Sequence, residues 1–401
     1  MSQELYIEEA PFGTRTLLVS DGRPVRVVHH FKRRNKAEIA ELYWAKIGRK
    51  DNRLGAHICD LGDGEEGVLP LRERNFVEGE VILVGVRREA TGTKRCVLTD
   101  RPSVRLPAAT LTPSGDLKPG PLGVVRPPKD LPDLLVPPRQ PMRAESVPPA
   151  VRHIALLATS KLDAVHCNLG AVAADIRRYL PDHLSIETDS LIGQAIEDAE
   201  DIGLERAVPL DGGGRLVIDE AEALTAIDLD VGTRQGQSGK GAAAHLFRDA
   251  LRTLKETLSL RAIGGQVVVD LPRGAVRAPK MIRDQLTALM KSDGLTGVPA
   301  VTKDGLVVLV FGQNRASLLE TLTEDTEDET FLRPARQFRT DVWAWRAFTA
   351  AAKVLRDEPV GQHTLHLAPD VLTLWNDSSA TEALTDVFGA RLTVRAETEE
   401  G

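Results

Sequence analysis

Apolar and polar positions alternate through residues 5–35, with Leu17, Leu18 and Val19 before Asp21-Gly22 and Val25, Val27 and Val28 after it. A period of two on either side of an Asp-Gly pair predicts a β-hairpin with its turn at those two residues. Residues 39–100 carry short strand-like runs (AELYWAKIGRK, LGAHICDLG, GVLPL, EVILVGVRRE, KRCVLTD) separated by glycines and charged turns. Short strands at that spacing predict a small all-β barrel. From residue 151 the pattern turns to α/β. HIALLAT reads as a strand, and Leu169–Leu180 and Leu191–Ile202 read as helices. VPLDGGGRLVIDEAEALTAIDLD reads as a hairpin of two strands. Leu246, Leu251, Leu254 and Leu258 fall on one side of a helix over Leu246–Leu260. QVVVDL is a short buried strand, Lys280–Lys291 a helix, and GLVVLVFG a strand. Residues 341–356 read as a helix, followed by HTLHLAP (strand), Asp377–Phe388 (helix) and RLTVRAE (strand), a small C-terminal α+β unit.

Composition sets the limits of this picture. The chain has 401 residues, 42% of them apolar, which is enough for two to four units with real cores. Aromatic residues are only 4%, so aliphatic side chains must fill those cores. Residues 102–149 hold 13 of the 24 prolines, a density that excludes a helix and predicts an extended linker partly ordered against a neighbour. ETLTEDTEDET (320–330) reads as an acidic, solvated linker. Cys59, Cys96 and Cys167 are far apart and form no CxxC pair, so reduced thiols are expected rather than a zinc site or a disulfide framework. No apolar run reaches the roughly 18 to 20 residues of a membrane span. The acidic start MSQELYIEEA is unlike a secretory signal, and a cytoplasmic protein is expected.

The formal net charge of −7 hides an uneven distribution. Residues 154–230 carry a net −11 and residues 231–319 a net +7. An acidic block ending in carboxylates is thus followed at once by a basic one, as a metal beside a phosphate-binding surface requires, although two unrelated solvated faces would produce the same pattern. Asp228 and Asp230 end the run ALTAIDLD, and Asp270 ends IGGQVVVD. Residues two apart on a strand share a face. If the two strands are neighbours, the carboxylates converge at the sheet rim and repel one another unless a cation lies between them. Oxygen-only donors select a hard ion, magnesium or manganese, which can activate water for attack on a phosphodiester. The plainer reading is that each Asp merely caps a turn. Arg234, Lys240, Arg273, Arg277, Lys280 and Arg283 follow these carboxylates, and His29-His30 with Lys32, Arg33, Arg34 and Lys36 forms a second basic patch. GTRQGQSGKG (232–241) lacks Walker spacing but suits a loop that meets a nucleic-acid backbone.

These motifs resemble the ribonuclease E/G family. VPLDGGGRLVIDEAEALTAIDLDVG (208–232) resembles its core signature, and SLRAIGGQVVVD (259–270) its second, an LR..GG turn leading into a strand that ends in Asp. LYIEEAPFGTRTLLVSDGRPVRVV resembles the opening hairpin, and AKIGRKDNRLGAHICDLGDGEEGVLPLRE (45–73) with KRCVLTD (94–100) the inserted barrel. VTKDGLVVLVFGQNR (301–315) resembles the strand that closes the catalytic subdomain.

The resemblance implies a multidomain α+β and α/β fold. It would comprise an RNase H-like subdomain (1–36 and 151–207), an inserted OB-fold RNA-binding barrel (37–100), the Pro-rich linker (101–150) and a DNase I-like α/β catalytic subdomain (208–315). An acidic linker (316–340) and the small C-terminal α+β unit (341–401) would follow. The implied activity is magnesium-dependent endonucleolytic hydrolysis of single-stranded RNA, with Asp228 and Asp270 as catalytic metal ligands and manganese as a possible substitute. Arg234, Lys240, Arg273, Arg277, Lys280, Lys32, Arg33 and Arg34 would hold the RNA. Several positions depart from the family pattern. Asp230 stands where an Asn usually supports the metal, and it is expected as a third ligand or an outer-shell group. Phe247 replaces a usual Asn. Residues 316–332 contain no cysteines of the kind that bind zinc and link protomers, so no zinc is expected, and a monomer or homodimer rather than a tetramer. The 5′-monophosphate pocket has no counterpart. The barrel's stacking aromatics are replaced by Ile58 and Val68, at about 1 to 3 kcal/mol of lost stacking apiece. An RNA-binding protein of the same fold with weak or no catalysis is the alternative, and a scaffold without RNA the third reading.

Overall fold

The computed structural model describes residues 2–34, 36–62, 64–71, 76–92, 94–111, 117–122, 140–144, 147–189, 192–211, 213–230, 240–271, 279–290, 299–312, 314–326 and 336–397. The chain divides into two compact bodies, one of residues 1–199 with 320–401 and one of residues 200–319.

The first body opens with β1 (Gln3–Ala10), β2 (Gly13–Ser20) and β3 (Arg23–Phe31), an antiparallel meander. Asp21 and Gly22 have φ of 50° and 74°, so the expected two-residue turn is of the left-handed type that matches strand twist. Gly13, between β1 and β2, is obligatory: a Cβ there would lie 1.8 Å from the His30 carbonyl oxygen. The barrel follows, from β4 (Leu42–Asp51), β5 (Ala56–Gly62), β6 (Glu65–Pro70), β7 (Val81–Arg88) and β8 (Cys96–Thr99). Pairing runs β4-β5-β6-β8-β7 and closes through β4 with β7, which makes a five-stranded barrel consistent with an OB-fold. Ala45, Ile47, Leu61, Leu69, Val84 and Leu98 fill it.

In the proline-rich stretch, β9 (Val104–Arg105), β10 (Ala109–Leu111) and β11 (Leu117–Pro119) form a small sheet, and β12 (Met142–Arg143) pairs with β4. Val104, Leu106 and Ala144 enter the core of the meander, which supplies the ordering that composition alone did not specify.

HIALLAT, expected as a strand, belongs largely to a helix, α1 (Pro149–Leu157). Pro149 at its start suits the first helical turn, and a short apolar run has no period of its own to decide between the two forms. β13 (Leu162–Cys167), α2 (Gly170–Arg177), β14 (Ser185–Thr188) and α3 (Ile192–Leu204) complete this part. β13 and β14 join the meander in parallel, giving the order β14-β13-β1-β2-β3. Leu5, Ile7, Val165 and Ile154 are fully buried in the resulting core.

The second body is built on β15 (Ala207–Pro209), β16 (Arg215–Glu220), β17 (Thr225–Asp230), α4 (Lys240–Leu260), β18 (Gly265–Asp270), α5 (Pro279–Met290), β19 (Ala300–Val301) and β20 (Leu306–Phe311), with α6 (Leu318–Leu322) after them. The expected hairpin is β16–β17, and β15 adds a third strand to it. The six strands are ordered β15-β16-β17-β18-β20-β19. Leu216, Ile218, Ile227, Leu229, Val267, Val269, Val307 and Leu309 line one face and pack with Leu251, Leu254 and Leu258 of α4 and Ile282, Leu286 and Met290 of α5. Period two on the strands and 3.6 on the helices thus meet on a single core.

The acidic segment at 320–330 is not wholly a linker. Its start belongs to α6 and β21 (Thr323–Asp325), which pairs with β22 (Arg336–Phe338). Arg336 and Arg339 pair with Asp325 and Glu324, which gives the acidic run local partners. α7 (Thr340–Asp357) then packs Trp345 and Phe348 against Phe12 of the first sheet. β23 (His363–Leu367), α8 (Pro369–Asp377), α9 (Ala380–Phe388) and β24 (Leu392–Ala396) end the described chain; α8 was not expected, and it buries Trp375 and Val371.

Candidate metal and nucleic-acid site

β17 and β18 run parallel in the register Thr225↔Val267, Ala226↔Val268, Ile227↔Val269 and Asp228↔Asp270. The two aspartates, 42 positions apart in sequence, are therefore direct cross-strand neighbours. Adjacent strands lie about 4.8 Å apart, so the two side chains leave one face of the sheet side by side. The alternation that buries Ile227, Leu229, Val267 and Val269 leaves Asp228 and Asp270 exposed on the opposite face. Among the described residues neither aspartate has a hydrogen-bond or ion-pair partner. Like charges directly opposite on a sheet destabilise it. An oxygen-only pair open to solvent, with no counter-cation among the described residues, has the donor chemistry of a hard divalent ion.

Asp230 lies on the same face two residues on. Its Oδ2 accepts a hydrogen bond from Arg215 Nε at 3.1 Å, across the pair Arg215↔Asp230 of β16 and β17.

The expected RNA contacts are distributed as follows. Arg234, Arg273 and Arg277 lie outside the described residues. Lys240 is the first residue of α4, and Lys280 is exposed in the first turn of α5. Arg34 is occupied internally: its Nε and Nη2 donate to Asp341 at 2.7 Å each, its Nη1 donates to the Thr321 carbonyl at 2.7 Å, and the guanidinium covers Phe31. Arg33 reaches Asp377 at 3.3 Å in an exposed pair. Lys32 Nζ is 3.5 Å from the Ala10 carbonyl oxygen. Arg33 and Arg34 therefore tie the meander to the C-terminal helices. On the barrel, Ile58 faces Val68 across β5 and β6.

Among the described residues, one set of three acidic or histidine side chains brings its donor atoms within 4.8 Å: His30, Glu38 and Glu41. Cations of the protein already occupy it. Arg152 reaches Glu38 at 2.7 Å and Glu41 at 3.3 Å, His30 Nδ1 is 2.7 Å from Glu38, and Arg143 is 3.6 Å from Glu41. Burial alone would raise the Glu38 carboxyl, but His30 and then Arg152 outweigh it and hold it below the ordinary glutamate value. This is an ion-pair network between α1 and the entry to the barrel. A second one surrounds Arg15, which is 2% exposed: its Nε donates to Glu8 at 2.5 Å and its Nη2 to Glu197 at 3.1 Å and Thr349 at 2.9 Å, while Trp345 Nε1 also donates to Glu8. The cysteines are buried; burial pushes the Cys59 thiol up to about 11 and those of Cys96 and Cys167 up to about 12, so none is a nucleophile at neutral pH.

Two arginines were missed in the sequence. Arg215 lies opposite Asp230, a placement that becomes visible in the sequence once the hairpin register is counted. Arg261, within SLRAIGG, is 4% exposed; it donates to the Glu205 carbonyl and lies 3.8 Å from Glu220, anchoring the turn that launches β18.

The family model described as "Ribonuclease E/G family" matches residues 154–310, which include both aspartates. Ribonuclease G of Haemophilus influenzae is 27% identical over 135 residues, 32% of this chain and 27% of that protein. Ribonuclease G of Escherichia coli K12 is 27% identical over 158 residues, 37% of this chain and 32% of that protein. A chloroplastic ribonuclease E/G-like protein of Arabidopsis thaliana is 32% identical over 133 residues, which cover 13% of its length. The chain thus spans a third or less of each of these relatives.

Proposed function

Residues 154–310 make this chain a member of the ribonuclease E/G family, and from that premise we propose that it is a magnesium-dependent endoribonuclease that cuts single-stranded RNA. The observation that carries this reading is the in-register pair Asp228↔Asp270, exposed at the ends of two parallel strands. Asp228 and Asp270 would hold one magnesium or manganese ion. The bound ion would supply an activated water and neutralise charge on the scissile phosphate. The two aspartates fix where it sits, because their strands are hydrogen-bonded neighbours backed by a packed core. Lys240 begins α4 and Lys280 lies in the first turn of α5, the two helices that follow the aspartate-bearing strands, and with Arg234, Arg273 and Arg277 they form the basic sequence block that would hold the RNA backbone. The closed barrel would guide the strand, with phosphate contacts in place of strong base stacking where Ile58 and Val68 stand. In this reading the first sheet is the RNase H-like part, the second body the DNase I-like part, and the protein works in the cytoplasm as a monomer or homodimer without zinc. No described helix is long and apolar enough to cross a membrane.

Cleavage of a fluorescent single-stranded RNA, with magnesium and with EDTA, tests the proposal. Products are expected only with the divalent ion, and none from Asp228→Ala or Asp270→Ala. Equal cleavage by parent and variants would end it. Two observations favour a second reading, RNA binding without catalysis: the extra carboxylate of Asp230 two residues from Asp228, and Ile58 and Val68 on the barrel. Salt-sensitive binding that persists in EDTA, with no product under any divalent ion, would select that reading.

A further inference from the structure

Resting on the proposed function, we propose that Leu306 is a substrate-positioning residue: with Val268 and Val308 it forms an apolar rest for the base and ribose of a nucleotide flanking the scissile phosphate. The strand registers place it there. β20 runs antiparallel to β18, with Asp270 opposite Leu306, Val268 opposite Val308 and Gln266 opposite Val310. Residues directly opposite one another share a face of the sheet. Leu306 therefore leaves the same face as Asp228 and Asp270, on the far side of Asp270 from Asp228. One row across the three strands reads Asp228, Asp270, Leu306.

The apolar residues of this face are gathered. Leu306 is 42% exposed and Val310 41%, and Val268 and Val308 are partly buried. Val267, Val269, Val307 and Leu309, which alternate with them, already supply the core that α4 and α5 cover. Folding therefore does not require apolar side chains on the outer face as well. Exposed apolar residues scattered singly need no account, but a contiguous group beside two carboxylates does. Position names the occupant. An RNA whose phosphate reaches Asp228 and Asp270 lies on this face, and Leu306 stands one strand spacing, about 4.8 Å, beyond Asp270. A ribose and its base extend that far from their phosphate. Leu306, Val268 and Val308 offer hydrocarbon and no hydrogen-bonding group, which suits a base or sugar and not a phosphate. Such contact is non-directional, so it registers that a base is present and not which base it is.

The test compares cleavage of a single-stranded RNA with cleavage of the same RNA carrying one abasic nucleotide. The abasic site is moved in turn through the two positions on each side of the cut. For the parent, one flanking position is expected to lower kcat/KM about tenfold when abasic, with exchange of the base there worth less than about threefold. Leu306→Ala is expected to lower kcat/KM about tenfold on the ordinary RNA and to lose the abasic penalty at that one position. Leu306→Met should bring the penalty back. A purely structural role would lower activity and leave the penalty in place, and unchanged melting temperatures would exclude misfolding. A second measurement needs no turnover. Cys59, Cys96 and Cys167 are buried, so the thiol introduced by Leu306→Cys is the accessible one. With that change made in Asp270→Asn, so that RNA is bound and not cut, saturating oligouridylate should slow alkylation by iodoacetamide about tenfold. A saturating abasic oligomer of equal length should slow it less than about twofold. Parent-like kinetics for Leu306→Ala, an abasic penalty that it leaves untouched, or alkylation that oligouridylate does not slow overturns the role of Leu306 and leaves the nuclease reading standing. If the parent forms no product, or Asp270→Ala cuts as the parent does, the nuclease reading is at fault and the role of Leu306 falls with it.

Discussion

The rim of the second sheet and the interior of the first body treat acidic side chains in opposite ways. Around Arg15 and around Arg152, every carboxylate taken out of water meets a guanidinium, and Glu8 also accepts from an indole. At the ends of β17 and β18, two carboxylates stand side by side, exposed, with no such partner among the described residues. Burial makes an unpaired charge too costly, so the interior sites must be self-satisfied and serve cohesion. Exposure makes an unpaired charge tolerable, so the rim can carry carboxylates that the described residues leave without a cation. Carboxylate clusters alone do not distinguish the two. His30, Glu38 and Glu41 are the tighter group, yet Arg152 already completes it.

The contrast can be broken most severely at the rim. If the proposed function holds, Asp228→Ala and Asp270→Ala should each lower RNA cleavage by about a thousandfold or more, since an ion held there would supply several kcal/mol of charge stabilisation; single-turnover assays at saturating RNA read this directly. Their folding should be intact by denaturant titration. In the interior the signs reverse. Arg15→Ala removes the guanidinium that buried Glu8 and Glu197 share and should cost about 3 to 5 kcal/mol of stability, measured by urea unfolding followed by tryptophan fluorescence.

A smaller effect follows from Glu38. Its carboxyl is held below the ordinary value, so its stabilising contribution is complete above the unfolded glutamate pKa near 4.3 and disappears as pH falls through the lower folded value. Stability measured from about pH 6 down to pH 3 should therefore fall more steeply for the parent than for Glu38→Gln, with the two converging at the acid end. Parallel curves would show that the network does not depend on that charge. The smallest effect sharpens the contrast best. Asp270→Asn removes one of two facing like charges, and in EDTA it should raise stability by a few tenths of a kcal/mol up to about 1, while abolishing cleavage. Stabilisation combined with loss of activity is the mark of a site built for a ligand.

Much of this was readable in the chain. Period two in LVID and AIDLD gave the β16–β17 hairpin, period 3.6 over Leu251, Leu254 and Leu258 gave α4, and Asp21-Gly22 gave the first turn. HIALLAT was misread because a seven-residue apolar run has no decisive period, and only its burial against the first sheet makes it helical. The start of the acidic stretch became α6 and β21, where Arg336 of the next strand and Arg339 just after it answer its charges.

By itself the sequence determined which residues alternate and where the strands end, because those follow from local periodicity and turn chemistry. It therefore placed Asp228 and Asp270 at strand termini and, through motif, named the family they resemble. Tertiary structure alone decided that β17 and β18 are parallel neighbours in the register that sets one aspartate beside the other. It also decided that Arg34 is spent on Asp341 and that Arg215 pairs with Asp230. Strand pairing and ion pairing join residues far apart in the chain, and no local pattern encodes which distant backbone supplies the hydrogen bonds or the opposite charge.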